Sequence, residues 1–236
     1  MIGAGLAGLA AAVRLAAHGH AVSLYEGGQH AGGRCRSYFD RELDCRIDNG
    51  NHLLLSGNHA ALAYLDEIGA RASMLAAAAP TFDFCDLRSG QRWRLRLNRG
   101  RFPAWVFAAG RRVPETRITD YLAALRLPFA SANASAQSLL ASPHLLYERL
   151  WEPFCVAALN TEAQAGSARL VWAVVRETFG RGGAACVPMV PEKGLSESFI
   201  DPALARLRSH GADIRFGQLL RQIRFQGSRA DVLVFS

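Results

Sequence analysis

The chain has 236 residues, half of them hydrophobic, and a formal net charge of +7. That much apolar content excludes an intrinsically disordered chain and supports one large core, or one domain with a smaller second one. Its five cysteines, at 35, 45, 85, 155 and 186, include no CxxC pair; this argues against a disulfide framework or a zinc site, fits a reducing cytoplasm, and makes each cysteine a small buried apolar residue.

In chain order, Met1-Ile2 reads as a strand stub, Gly3 to Gly8 as a turn, and Leu6 to His18, rich in alanine and leucine, as a helix that Gly19 stops. Ala21 to Tyr25 is a short apolar strand ending at Glu26, so the chain opens as a βαβ unit. A glycine-rich loop, Gly27 to Gly33, follows. Asn58 to Ile68 is expected to be helical, and Thr81 to Asp86 with Arg92 to Leu97 to form two strands around Ser89-Gly90. Trp105 to Leu127 reads as helix in pieces, interrupted near Gly110 and Pro114, and Pro128 to Ser142 as loop. His144 to Leu159 and Ala168 to Phe179 read as helices, and Pro188 to Pro191 as part of a loop. Asp201-Pro202 reads as an N-cap and first-turn proline before a helix Ala203 to His210, and three strands follow, at 214–216, 219–225 and 231–235. No apolar run approaches the roughly 18 residues of a membrane helix, and the N-terminus lacks a basic leader, so no targeting segment is read.

Between Asp86 and Arg126 stand ten arginines against three acids, so this segment carries the whole net charge. Such a patch meets phosphate, nucleic acid or an anionic membrane, or is simply a solvated surface. Nucleic acid is the poorest match: there is no zinc-finger spacing, no RNP-type aromatic motif and no clear helix-turn-helix.

The chemistry begins with Gly3-Ala4-Gly5-Leu6-Ala7-Gly8, followed by Ala12 and Glu26. Gly3 allows a tight turn, Gly5 lets backbone approach a pyrophosphate, and Gly8 and Ala12 let the helix pack close to the strands. The helix start, through Leu6 and Ala7, offers N–H groups and partial positive charge to phosphates, and Glu26 accepts from ribose hydroxyls. Downstream lie Gly32-Gly33-Arg34 and Asp48-Asn49-Gly50-Asn51-His52. Arg34 presents a planar cation to a diphosphate. His52 is a catalytic candidate or, more simply, a hydrogen-bonding structural residue.

The GGR loop beyond the ribose acid resembles the flavin amine oxidase and phytoene desaturase superfamily. The resemblance implies FAD, with Gly33 and Arg34 near its pyrophosphate and ribityl chain. It further implies Gly50 and Asn51 beneath the flavin ring and the backbone of Leu220, three before Ile223, against the adenine. Within that superfamily, residues 48–55, DNGNHLLL, and 150–161, LWEPFCVAALNT, are similar to segments of the hydroxysqualene dehydroxylases, as are Leu195-Ser196-Glu197 and Asp201-Pro202-Ala203. Leu6 stands where tryptophan is common there, and Asn51 where glutamine is.

The resemblance implies an α/β fold: a glutathione-reductase-type Rossmann FAD-binding domain, 1–80 and 188–236, with an inserted α+β substrate domain, 81–187. It implies an FAD-dependent oxidoreductase that reduces hydroxysqualene, a C30 isoprenoid alcohol, to squalene with hydride from reduced FAD. The superfamily's closing C-terminal FAD segment has no match here and the first strand is short, so an incomplete chain, inactive alone, is expected. A carotenoid desaturase or amine oxidase, and a non-catalytic FAD-binding remnant, stay open as alternatives. The catalytic acid is open too, with His52 and Glu152 as candidates. A cytoplasmic location at the inner face of the membrane is expected, with the arginine segment touching anionic headgroups; no metal is expected, and protein partners are not specified.

Overall fold

The structure is a computed structural model that describes residues 1–50 and 53–236. The chain folds as two compact units: Met1–Leu53, His59–Leu75 and Val190–Ser236 form the first, and Leu54–Asn58 with Ala76–Met189 the second. The joins differ from the expected 80/81 and 187/188. Residues 76–80 and 54–58 belong to the second unit, where Leu54 and Leu55 pair antiparallel with Met189 and Pro188.

The first unit is built on a parallel βαβ core. Ile2 bridges Tyr25 in parallel, and the strand Ser23–Tyr25 pairs in parallel with Asp213–Arg215. The helix Leu6–Ala17 buries Leu9, Ala12, Val13 and Ala16, the i, i+3, i+4, i+7 stripe of an amphipathic helix. It packs against the helix Asp201–Ser209, whose Leu204 and Leu207 are buried. A final antiparallel hairpin, Leu220–Gln226 and Arg229–Phe235, is held to this sheet by a Tyr25–Phe235 ring stack at 4.5 Å.

The second unit begins its own core with the hairpin Thr81–Cys85 and Arg92–Arg96, which pairs in full register from Thr81↔Arg96 to Cys85↔Arg92. Behind it lie 3-10 helices at Ala104–Phe107 and Ile118–Phe129 and α-helices at Ala136–Leu140, Glu152–Leu159 and Ala168–Glu177. Trp105, Leu127, Leu146, Trp151, Val171 and Val175 are among the buried side chains they share.

Several expectations are corrected. Pro128–Ser142 is not a loop: the 3-10 helix runs through Pro128, and Ser135 Oγ caps the helix Ala136–Leu140 by accepting from Ser138 N–H. Pro188–Pro191 is a strand. An unforeseen hairpin, Ser37–Asp40 with Cys45–Asp48, occupies the region after the glycine loop. Two cysteines, Cys45 and Cys85, are exposed, because each sits at the loop end of a solvent-facing hairpin.

Asp201 does not cap a helix start. The helix is already running through a wide π turn, Ser196–Ile200, when it reaches Asp201-Pro202. The second unit repeats the device: a π turn at Tyr147–Trp151 runs into Glu152-Pro153. A proline in a helix lacks its N–H and its ring strikes the carbonyl four residues back; opening the preceding turn removes both conflicts.

Candidate functional site

The glycine turn and its helix form a cradle open to a phosphate group. Gly3 takes φ +88°, a left-handed conformation that a side chain resists, and its N–H donates to Tyr25 O at 2.7 Å. A Cβ on Gly8 would lie 1.9 Å from the Gly3 carbonyl oxygen, so Gly8 exists for close helix–turn packing and not for ligand contact. Gly5 is the opposite case. It has φ −70°, and a Cβ there would meet nothing within 4 Å. The space before Gly5 is thus room for a ligand. No side chain caps the helix at Gly5, so the backbone N–H groups of its first turn, including those of Leu6 and Ala7, are aimed at that room.

Glu26 closes one side. Its carboxylate accepts from Ala4 N–H through Oε2 and from Gly28 N–H through Oε1, both at 2.7 Å. Those bonds fix the carboxylate against the turn and leave its remaining lone pairs for hydroxyl donors. The segment 215–218 runs beside it: Glu26 N–H donates to Arg215 O, and Gln218 N–H to Glu26 O at 2.8 Å. Leu219 then exchanges both backbone hydrogen bonds with Ser236. By the alternation of an antiparallel ladder, Leu220 turns its N–H and C=O the other way, free for the edge of a heteroaromatic ring.

The GGR loop closes the other side. Gly32 N–H donates to Ala4 O at 2.8 Å, and a Cβ on Gly33, at φ +57°, would lie 3.6 Å from the Gly5 Cα. Arg34 is exposed next to that gap, and its carbonyl accepts from Asn49 Nδ2 at 3.2 Å. Gly50, at φ +93°, follows Asn49. The structure therefore brings together Gly3, Gly5, Leu6, Ala7, Gly8, Glu26, Gly33 and Arg34, and ties the stretches carrying Gly50 and Leu220 to their neighbours by backbone bonds. Asn51 and His52 lie outside the described residues. Glu152, in the second unit, is half-buried and accepts from the Tyr147 hydroxyl at 3.4 Å. Burial, reinforced by Glu152, pushes Tyr147 up to about 12, so its hydroxyl stays protonated as a donor.

Sequence reasoning missed a lock beneath this cradle. Ser37 N–H donates to Ser196 Oγ, and Ser196 N–H donates back to Ser37 Oγ, which itself donates to Asp48 Oδ1 at 2.6 Å. Asp48 Oδ1 also accepts from Leu195 N–H, and Arg46 pairs with Glu197 at 2.6 Å. Asp48 thus holds the GGR-side hairpin to the segment that leads into Asp201–Ser209. Its partner Leu195 is 147 residues away in sequence, and no spacing rule joins the two.

The cradle fits a dinucleotide cofactor: open room at a helix N-terminus for a diphosphate, a fixed carboxylate for a ribose, a free backbone edge for a base and an arginine beside the gap. Comparisons agree. Residues 6–236 match the family of flavin containing amine oxidoreductases. The chain is 47% identical over 235 residues to a hydroxysqualene dehydroxylase of Rhodopseudomonas palustris, covering 100% of this chain and 56% of that protein. It is 45% identical over 236 residues to a hydroxysqualene dehydroxylase of Zymomonas mobilis, of which it covers 57%. The chain thus spans little more than half the length of these curated relatives. A crystal structure of an oxidoreductase from Methanosarcina mazei superimposes with a TM-score of 0.73 at 21% identity, over 99% of this chain and 54% of that one.

Proposed function

Because this chain belongs to the family of flavin containing amine oxidoreductases, we propose that its cradle holds the adenosine diphosphate end of FAD and that the protein carries out the reductive dehydroxylation of hydroxysqualene to squalene. One observation carries the choice of substrate: the likeness to two hydroxysqualene dehydroxylases runs through both units, over the whole of this chain. It therefore includes the second unit, to which none of the residues named for the dinucleotide cradle belongs.

In this reading the helix N-terminus and Arg34 neutralise the diphosphate, Glu26 takes the ribose hydroxyls, and the Leu220 backbone orients the adenine. Gly33 and Gly50 keep side chains out of the cofactor's path. Reduced FAD supplies a hydride when bound. The balance is one hydride and one proton consumed: the C–O bond breaks, the hydroxyl leaves as water, and a C–H bond takes its place. The protein's task is to fix the reacting carbon at contact distance and keep bulk water away from an electron-poor carbon.

The test is an anaerobic incubation of the protein with chemically reduced FAD and hydroxysqualene, with squalene measured by gas chromatography. Squalene formed in step with flavin reoxidation supports the reading. Flavin bound in stoichiometric amount with no squalene, while a polyene is dehydrogenated by oxidised flavin, sinks it in favour of a desaturase.

A further inference from the structure

Two surface properties coincide in one part of the second unit, and the cofactor reading uses neither. The first is charge. In the strand Arg92–Arg96 the arginines alternate with Trp93 and Leu95, so Arg92, Arg94 and Arg96 face solvent while Leu95 is buried. Of the ten arginines between Asp86 and Arg126, Arg94 alone forms an ion pair among the described residues, with Asp83. The acids of the segment are engaged otherwise: Glu115 pairs with Arg149, Asp120 accepts from Arg117 N–H, and Asp86 accepts from Ser89 Oγ.

The second property is apolar exposure. The helix Ile118–Phe129 turns Ala123 and Leu127 into the core, yet leaves Ile118 41%, Leu122 56%, Leu125 65% and Phe129 87% exposed. Nearby, Phe102 and Phe107 are 68% and 57% exposed and stack on each other at 5.8 Å. The two regions are joined by short bonds. Arg96 N–H donates to Arg111 O at 2.9 Å, Val113 N–H donates to the Tyr121 hydroxyl at 3.0 Å, and Tyr121 meets Trp105 edge-on at 5.3 Å. Single apolar side chains on a surface need no explanation, but a group of this size marks a contact.

We infer that this arginine hairpin and the 118–129 helix form a docking face for an anionic phospholipid bilayer. Such a surface offers both complements at once: phosphate charge for unpaired guanidinium groups and an acyl boundary for leucine and phenylalanine. A nucleic acid gives the leucines and isoleucine nothing to bury against. The proposed docking is in the interface plane; among the described residues no helix is long and apolar enough to cross a membrane. The inference stands apart from the dehydroxylation reading, and its test has no turnover in it.

The experiment is co-sedimentation of the protein with vesicles of phosphatidylcholine alone and of phosphatidylcholine mixed with phosphatidylglycerol. Two exposed double variants accompany it, Leu122→Gln with Leu125→Gln, and Arg92→Gln with Arg96→Gln; circular dichroism confirms that both are folded. Binding is expected on the mixed vesicles, weakened roughly fivefold per arginine removed and by salt. The leucine pair should weaken it roughly tenfold or more, with little salt dependence. Equal binding to both vesicle types, or unchanged binding by either variant, overturns the proposal. So does self-association that the leucine variant abolishes in a protein that leaves vesicles in the supernatant; the face then belongs to a second copy of the chain.

Discussion

The cofactor cradle of the first unit and the basic, apolar face of the second are built from opposite materials. The cradle is made almost wholly of backbone: N–H groups at a helix start, a free strand edge, and glycines that matter for what they lack. Backbone groups can be brought to one point only by particular turns, so the requirement shows in the sequence as spacing, from Gly3 to Glu26. The second unit's face is made of side chains on a hairpin and a 3-10 helix. Side chains tolerate many arrangements, and such a face shows in the sequence only as composition.

The widest separation between the two materials is within the cradle. Gly8→Leu should destabilise the protein by about 3 kcal/mol or more, because its Cβ would lie 1.9 Å from the Gly3 carbonyl and backbone must move. Gly5→Ala should leave the melting temperature nearly unchanged and yet purify without flavin. If both glycines behave alike, the distinction between a packing glycine and a ligand glycine fails.

Next, a deletion in the second unit's core should act on stability alone. Leu146 is fully buried, and Leu146→Ala should cost about 3 kcal/mol in urea denaturation while flavin content per folded protein stays the same. Loss of flavin from the folded variant would mean that the second unit also supports the cradle.

Glu26→Gln tests the cradle's carboxylate. One of the two N–H groups now bonded by the carboxylate would face an amide NH₂, costing about 2 kcal/mol. Both a lowered melting temperature and a weaker flavin complex are expected. A tenfold loss of flavin affinity with no change in melting would place Glu26 on the ligand alone.

The smallest effect is alkaline and belongs to the second unit. Burial pushes Cys186 up to about 12, and burial with Glu152 pushes Cys155 up to about 11, both from an ordinary value of 9.0. The folded form therefore keeps its protons where the unfolded form loses them. This stability is fully present below the ordinary thiol pKa and is lost as pH rises toward the raised values. By pH 9 the two thiols together should lower stability by about 1 kcal/mol relative to pH 7. Cys186→Ala should flatten part of that slope in melts run across pH. In the native protein at alkaline pH, iodoacetamide should label the exposed Cys45 and Cys85 first.

What was legible in the sequence follows the same division. The βαβ opening, the 59–67 helix and the 81–96 hairpin each carry a periodicity or turn signal, and each stands within a residue or two of its expected bounds. The hairpin Ser37–Asp48 escaped notice because neither strand alternates: its residues are exposed or half-buried on both faces. The Pro188–Pro191 strand was hidden by prolines that read as loop punctuation. In the site, Gly5 and Glu26 were readable from spacing. The Ser37–Asp48–Ser196 lock was not, since it is a contact between segments that only the fold makes neighbours.

The two π turns, one in each unit, put their helices out of phase. A turn that holds one residue more than an α turn rotates everything beyond it by roughly 100° relative to an unbroken helix. Cys155 is buried, as are Ala203, Leu204 and Leu207, because that rotation has been made upstream of them. Deleting a single residue from 147–151 or 196–200 would restore a regular helix and at the same time dial these side chains out of the core. A repair of the local geometry would undo the tertiary structure, so at these two places the irregular helix is the one that matches the rest of the chain.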